Sequence, residues 1–197
     1  MKTEQLHELL YQALETEMGG QQIYQAAIQC ATNDELREEW QKYLEETQNH
    51  ERILRDVFET MGLDASKETP GRKVVRHKGE SLVKAMEMAR KEGPPKSAEL
   101  VAAESVVEAE TKDHQNWKLI GAAAQEANGK VATALSEAHG QVEDEEDEHL
   151  YHTMGWAREL WMQSLGMPAV IPPPEEEKDV ATAIGQARAE KARGDML

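Results

Sequence analysis

The sequence has a single cysteine, few aromatic residues and a shortage of positive charge. Cys30 alone excludes an intrachain disulfide and a Cys-x-x-Cys metal site. Lys and Arg number 22 against 38 Asp and Glu, which gives a net charge of -16. A surface this acidic repels nucleic acid and anionic membranes, and it favours cations, metal ions included. No apolar run approaches the length of a membrane span, and the charged N-terminal stretch is not a signal sequence, so we expect a cytoplasmic protein.

Helical patterns dominate the chain. Aromatic residues make up only 5% of it, whereas Ala, Glu, Gln, Leu and Met, which favour helices, are abundant. Four long segments have helical period, and none has a convincing strand period. Thr32 and Glu35 predict a capping box at the start of the second helix, and Gly62 predicts its end. The four helices are predicted at about 4–31, 33–61, 97–128 and 130–165.

The lengths of the connections predict how the helices are arranged. The first and second helices, and the third and fourth, are joined by tight turns, so each pair forms an antiparallel hairpin. The connection between the pairs, 63–96, is basic and turn-rich at first and then carries a short amphipathic helix at about 80–91. It is long enough to travel the length of a bundle. The sequence therefore predicts an all-α four-helix bundle of two hairpins over residues 1–165, with a crossover at 63–96.

The C-terminal segment, 166–197, differs from the rest in composition. The stretch Ile171-Pro172-Pro173-Pro174 is incompatible with a helix, so we predict a proline-rich tail that lies extended on the surface. The acidic residues 175–177 and a weak helical pattern to about Lys191 follow it.

Each of the four apolar stripes contains an ionisable residue near its middle. An ionised side chain that faces a dry core costs several kcal/mol unless it is paired or bound to a metal. One such residue in every helix needs a common explanation, and a metal centre provides it, because carboxylates and imidazoles from facing helices bind hard or borderline cations. The residues are Glu17, His50, Glu110 and the pair Glu145 and His149.

The fourth helix carries the sharpest local pattern. Six carboxylates in a row, 143–148, precede His149 and His152. Glu146-x-x-His149 places a carboxylate and an imidazole on one helical face, one turn apart, and so does His149-x-x-His152 for two imidazoles. The alternatives are a solvated acidic face and a core histidine bonded to a neighbour. A shift of one position in the helical phase would exchange Glu145 for Glu146 as the inward carboxylate.

Inward Glu residues on two helices and Glu-x-x-His on the others resemble the ferritin-like di-iron carboxylate superfamily, which includes ferritins, bacterioferritins, rubrerythrins and manganese catalases. Glu17 precedes Tyr24 by seven residues and Glu110 precedes Trp117 by seven, as in rubrerythrin-like helices. The stretch 144–149 is similar to the fourth-helix ligand segment of that superfamily. The resemblance covers about residues 5–165. It implies a ferritin-like bundle that binds iron, two per chain, or manganese.

The second helix departs from the superfamily's pattern. Thr47 stands three residues before His50, where the pattern has Glu. Glu46 reaching in from the flank and His114, one turn beyond Glu110, are candidates to replace the missing ligand. The metal ligands implied by the resemblance are Glu17, Glu46, His50, Glu110, His114, Glu146 and His149, with Glu145 and His152 as a second tier.

Three functions remain open at this point. The first is a metal-dependent oxidoreductase that acts on dioxygen or peroxide, with a small-molecule oxidant as its partner. The second is an iron-binding or storage protein without turnover, for which the acidic run would be the access path of the metal ion. The third is a metal-free helical interaction module. We also expect a homodimer, because the Trp and Met positions exceed what the stripes of one bundle need.

Overall fold

The structure of the protein, a computed structural model, describes all 197 residues. Seven α-helices and one short 3₁₀ turn form its regular structure, and it contains no strand, so the prediction of an all-helical protein is confirmed. None of the helices combines the length and the apolar character that crossing a lipid bilayer requires. The helices are α1 (Thr3–Cys30), α2 (Asp34–Met61), α3 (Pro70–Glu92), α4 (Pro95–Glu126), α5 (Gly129–Ser164), α6 (Pro174–Glu177) and α7 (Ala183–Ala192).

The start of α2 differs from the predicted capping box. Asn33, not Thr32, is the N-cap, and its side chain accepts the backbone N–H of Leu36 at 3.2 Å. The backbone N–H and hydroxyl of Thr32 instead donate to the Glu99 carboxylate from α4, which fixes the α1–α2 turn against the second half of the chain. The predicted end of α2 is confirmed, because Gly62 takes a left-handed conformation with φ 68°.

Helix α3 is much longer than the short helix predicted within the crossover. Thr69 caps its start by accepting the backbone N–H of Arg72 at 3.1 Å, and Pro70 occupies the first turn. Proline is favoured there because its missing N–H would have no helical partner. The sequence Thr69-Pro70-Gly71, which lies in the part of the connection predicted to be turn-rich, is therefore a helix start. Helix α3 packs against α1 and α4.

A buried ion cluster fixes α3 on α1. The Glu15 carboxylate of α1 accepts from Arg72 at 2.5 Å and from Arg76 at 2.6 Å. Glu15 and Arg72 are each 4% exposed. The two guanidinium groups outweigh the effect of burial and lower the pKa of Glu15. Gly71 allows the close approach of the helices, because a Cβ there would collide with the side chains of Glu8 and Gln12.

The apolar core consists of two clusters. One contains Tyr24, Tyr43 and Trp156, and the other contains Leu14, Phe58 and Trp117. Along each of α1, α2, α4 and α5 the stripe passes from one cluster to the other, and the ionisable residues of the stripes fall between them. The polar layer thus divides the core across the middle of the four long helices.

The C-terminal segment does not lie extended on the surface as predicted. It folds back onto α5: Pro173, Pro174 and Glu175 are buried, and Pro174 begins α6. Two further residues of the segment, Val180 and Ala189, pack against Leu150 and Tyr151 of α5. Residues 171–173 are not helical, as the proline run predicted, but Pro174 stands at the first position of a new helix, where proline is favoured.

Replacing Glu15 with Ala should destabilise the protein strongly, because the buried guanidinium of Arg72 would lose its carboxylate. We expect the free energy of unfolding, measured by urea denaturation, to fall by about 3 kcal/mol. Glu68 also pairs with Arg76, but at the surface. Its replacement by Ala is the control and should leave the urea midpoint unchanged. Equal effects of the two substitutions would contradict the anchoring role of Glu15.

Candidate metal centre

Five ionisable side chains meet in the polar layer. They project from α1, α2, α4 and α5 because each lies on the inward stripe of its helix, between the two apolar clusters of the core. None is more than 4% exposed. They are Glu17, His50, Glu110, Glu146 and His149.

The carboxylate of Glu146 is shared by two groups of possible metal ligands. Glu17, His50 and Glu146 form one group, and Glu110, Glu146 and His149 form the other; in each group one ligand atom per residue lies within 4.8 Å of the others. Glu146 Oε1 lies 2.9 Å from Nδ1 of His50 and 3.9 Å from Nδ1 of His149. The other carboxylates flank this centre, with Glu17 Oε2 3.8 Å from His50 Nδ1 and Glu110 Oε2 3.7 Å from His149 Nδ1.

A carboxylate on the outer side holds each imidazole. His50 Nε2 lies 2.6 Å from Glu145 Oε2, and His149 Nε2 lies 2.9 Å from Glu46 Oε2. Each pair joins α2 to α5. With Nε2 engaged in this way, both Nδ1 atoms face the centre, which is the arrangement that carboxylates impose on metal-binding histidines.

Aromatic side chains hold the carboxylates of Glu17 and Glu110, and each aromatic side chain comes from the helix that carries the other carboxylate. The Tyr24 hydroxyl of α1 donates to Glu110 Oε1 of α4 at 2.8 Å. The Trp117 indole N–H of α4 donates to Glu17 Oε1 of α1, also at 2.8 Å. Each carboxylate therefore has one oxygen fixed by a neighbour and a second oxygen directed to the centre.

Buried atoms in this centre lack hydrogen-bond partners. His50 Nδ1 is close to Glu146 Oε1, but it is not aligned for a hydrogen bond. Leaving several buried polar atoms unpaired costs stability, and a cation bound between them would satisfy all of them. The unpartnered atoms are Oε2 of Glu17, Glu110 and Glu146, and Nδ1 of His50 and His149.

The electrostatics of the centre reflect burial and crowded negative charge. Burial, followed by the charges of Asp113 and Glu146, raises the pKa of Glu17 well above its usual value. Burial also raises the pKa of Glu146. For His149, burial acts in the opposite direction, but the carboxylates of Glu110 and Glu46 outweigh it and raise its pKa to about 10. Without a metal ion, protons must supply part of the positive charge that this layer needs.

Asp113 is a further member of the layer that sequence reasoning missed. It is 4% exposed, and its Oδ1 has no hydrogen-bond partner. Burial, then the charges of Glu146 and Glu110, raise its pKa well above the usual value. The signal was present in the sequence, since Asp113 follows Glu110 by three residues and so shares its helical face.

Two of the predicted ligands lie outside the centre. His114 turns to Asp147, with Nδ1 2.9 Å from Oδ1. His152 turns to Glu39, with Nδ1 2.9 Å from Oε1. Thr47 brings no ligand either, because its hydroxyl donates to the Tyr43 carbonyl at 2.8 Å. The structure thus places Glu46 and Glu145 behind the imidazoles, and it leaves the position of the missing glutamate without a carboxylate from α2.

A second cluster, Glu39, Glu148 and His152, has the spacing of a cation site, but its two carboxylates already have hydrogen-bond or ion-pair partners. The Lys42 ammonium bonds to Glu148, so a cation is in place there. Glu39 accepts from the Trp156 indole at 2.9 Å and from the Tyr43 hydroxyl. This cluster is therefore a hydrogen-bonded network beside the centre.

Fold and site together define a class: an all-helical protein with a buried carboxylate and histidine centre. The chain belongs to the family described as "Domain of unknown function (DUF892)", which matches residues 1–156. That range includes every residue of the centre. Neither the curated proteins nor the solved structures gave a match to the chain.

Replacing Asp113 with Asn should stabilise the metal-free protein, because it removes a carboxyl group that is costly to ionise. In a chelator at pH 7 we expect the free energy of unfolding to rise by at least about 1 kcal/mol. An acid with a raised pKa destabilises the fold only above its unfolded pKa, so the gain should shrink as the pH falls towards about 4.

The matched control is Glu108→Gln, which removes an exposed carboxylate from the same helix. It should give no gain in stability at any pH. Loss of stability in Asp113→Asn would show that the carboxylate is bonded in the metal-free protein.

Proposed function

We propose that the protein is a ferritin-like four-helix bundle with a dinuclear iron or manganese centre, and that it acts as an oxidoreductase on dioxygen or peroxide. The observation that carries this proposal is the set of unpartnered oxygen and nitrogen atoms buried between α1, α2, α4 and α5. Three carboxylates and two imidazoles suit iron and manganese better than a soft metal.

The distances support a division of the ligands between two metal positions. Glu17 and His50 would hold one ion, Glu110 and His149 would hold the other, and Glu146 would contact both. Bound iron or manganese would supply the electrons for the reduction of the oxidant. The residues of the chain neutralise the charge, fix the orientation of the ligands and exclude bulk water.

The outer carboxylates have a separate task in this proposal. Glu46 and Glu145 fix the ring orientation of the imidazoles and increase their basicity at Nδ1, because each carboxylate accepts a hydrogen bond from an Nε2–H group. Their side chains are partly exposed, 20% for Glu46 and 37% for Glu145, unlike those of the ligands. They therefore also mark the seam between α2 and α5 where the centre is nearest to solvent.

The two halves of the centre are unequal, which favours an oxidant-binding role. On α5, Glu146 stands three residues before His149, whereas α2 has Thr47 in that place before His50. The half of the centre around His50 therefore has one carboxylate fewer from its own helix. A position left to exchangeable ligands is what a small oxidant needs at a catalytic metal.

A storage or binding function without turnover is the second candidate. The acidic run supports it, because Glu143 and Asp144 are exposed next to the partly exposed Glu145 on α5. Such a run would raise the local concentration of cations beside the seam. Consumption of dioxygen or peroxide by the metal-loaded protein distinguishes an oxidoreductase from a storage protein.

We also propose a homodimer, but fewer of the Trp and Met residues support it than the sequence suggested. Trp40, Trp117 and Trp156 are buried within one chain, while Trp161 and Met154 are 43% and 38% exposed. Only the last two are therefore available to an interface on α5.

Elemental analysis tests the proposal directly. In protein purified from cells grown with added iron and manganese, we expect about two equivalents of iron or manganese per chain. The variant His149→Ala should lose most of this metal. His77→Ala, which removes an exposed imidazole on α3, is the control and should keep the metal. No metal in the unaltered protein, with no thermal stabilisation on adding it, would leave a metal-free helical module.

Replacing Glu46 with Ala should weaken metal binding without removing a ligand. We expect the affinity, measured by calorimetric titration with Mn(II), to fall by a factor of about 10 to 100. Glu45→Ala removes an exposed carboxylate one position away and should not change the affinity. An equal loss in both variants would mean that only the general negative charge of α2 matters.

A further inference from the structure

The first part of the C-terminal segment, residues 168–180, is bound tightly to α5, and we call it the strap. Its Glu175 carboxylate is fully buried and accepts from both terminal nitrogens of Arg158, at 2.6 and 2.8 Å. Gly155 provides the space, because a Cβ there would come within 2.6 Å of Glu175 Oε2 and 2.9 Å of Pro173 Cβ. The bidentate Arg158–Glu175 pair, together with the close fit beside Gly155, fixes the strap in one docked position.

The next residue of the strap joins α5 to α2. The Trp156 indole N–H of α5 is shared between the Glu176 carboxyl group and Glu39 Oε2 of α2. Two carboxyl groups therefore meet at a single donor. Glu176 thus connects α2 and α5 at one end of the seam along which Glu46 and Glu145 face solvent.

We propose that the strap is a latch that clamps α2 to α5 beside the candidate metal centre, and that its release admits metal ions to that centre. The second half of this proposal rests on the proposed metal function. The first half, the latch, rests only on the contacts of Glu175 and Glu176.

A short chain of contacts links the latch to the centre. Glu39, which meets Glu176, also bonds to the Tyr43 hydroxyl and to His152. The ring of Tyr43 packs against the imidazole of His149, with 4.2 Å between their centroids. Release of Glu176 would free Glu39 and loosen the packing of α2 on α5 where His149 faces the centre.

The charges around Glu176 make the latch sensitive to pH. On α2 it faces Glu39 and, further away, Glu35; on α5 it meets the indole of Trp156, and the Arg158 guanidinium is already paired with Glu175. Burial and the Glu39 carboxylate raise the pKa of Glu176 to about 8. The protonated Glu176 donates to Glu39. Burial acts to raise the pKa of Glu39, but hydrogen bonds from His152, Glu176 and Tyr43 outweigh it and lower that pKa to about 2.

The direction of the pH effect follows from these values. Glu176 has a higher pKa when docked than when free, so docking is strongest below the ordinary pKa of glutamate and weakens as the pH rises towards about 8. Glu176→Gln keeps a donor for Glu39 but carries no charge, so this variant should stay latched at every pH. Glu177→Gln, which alters the exposed neighbour, is the matched control.

Limited trypsin cleavage after the exposed Lys178 measures release of the strap. We expect the ratio of cleavage rates, unaltered protein to Glu176→Gln, to be at least about tenfold larger at pH 8.5 than at pH 5.5, because docking of the charged Glu176 weakens between these two pH values. The ratio of the unaltered protein to Glu177→Gln should stay near one throughout. A ratio to Glu176→Gln that does not change with pH would overturn the latch.

Uptake of Co(II) alone, followed by its visible absorption at pH 8.5, measures the effect on the centre. We expect uptake to be several-fold slower in Glu176→Gln than in the unaltered protein and in Glu177→Gln. Equal rates, with all three proteins binding Co(II), would overturn the gating role while leaving the metal centre standing. No Co(II) binding by any of them would overturn both gating and the proposed metal function, whereas the cleavage ratio would still decide the latch.

Discussion

Charged side chains buried in the middle of the core are the constraint on which the rest of the structure depends. Carboxylates and imidazoles taken out of water are costly, so each must be compensated by partners from other helices. Trp117 and Tyr24 hold Glu17 and Glu110, and Glu145 and Glu46 hold the two imidazoles. The partners come in every case from a different helix, so the polar layer fixes the register of α1 with α4 and of α2 with α5. The unpartnered atoms of Glu17, His50, Glu110, Glu146 and His149 surround one centre, and a cation there would complete the compensation.

The contacts around this layer are reciprocal between the two halves of the chain. Glu17 and Tyr24 on α1 have the spacing of Glu110 and Trp117 on α4, and each aromatic side chain bonds to the carboxylate of the other helix. Approximate twofold symmetry of this kind places equivalent ligands around a shared centre. It is broken on one side, where α1 and α2 carry Gly20 and Thr47 while α4 and α5 carry Asp113 and Glu146. Gly20 packs close to Thr47, since a Cβ there would lie 3.3 Å from its Cγ2. The negative charge of the layer is therefore concentrated on the second hairpin.

Helical period predicted most of the long helices and the inward position of the buried ionisable residues. It was wrong about α3 and the tail for related reasons. Proline was taken as part of a turn at Pro70 and as the mark of an extended segment in the tail, although Pro70 and Pro174 stand in the first turn of a helix, where proline fits well. The choice between Glu145 and Glu146 also needed the structure, because neighbouring residues differ by only about 100° around a helix. Glu146 is buried, and Glu145 stands behind His50 at the seam.

The sequence by itself determined the all-helical character, the approximate helix bounds and the presence of ionisable residues on apolar stripes, because these follow from propensity and period within each helix. Only the tertiary structure decided what those residues contact, since the contacts join positions far apart in the chain. It separated Glu17, His50, Glu110, Glu146 and His149 from His114 and His152, which have their own partners. It also added Asp113 and turned an apparently loose tail into a docked strap. Local pattern fixes which way a side chain points from its helix, whereas the packing of helices on one another decides which side chains meet.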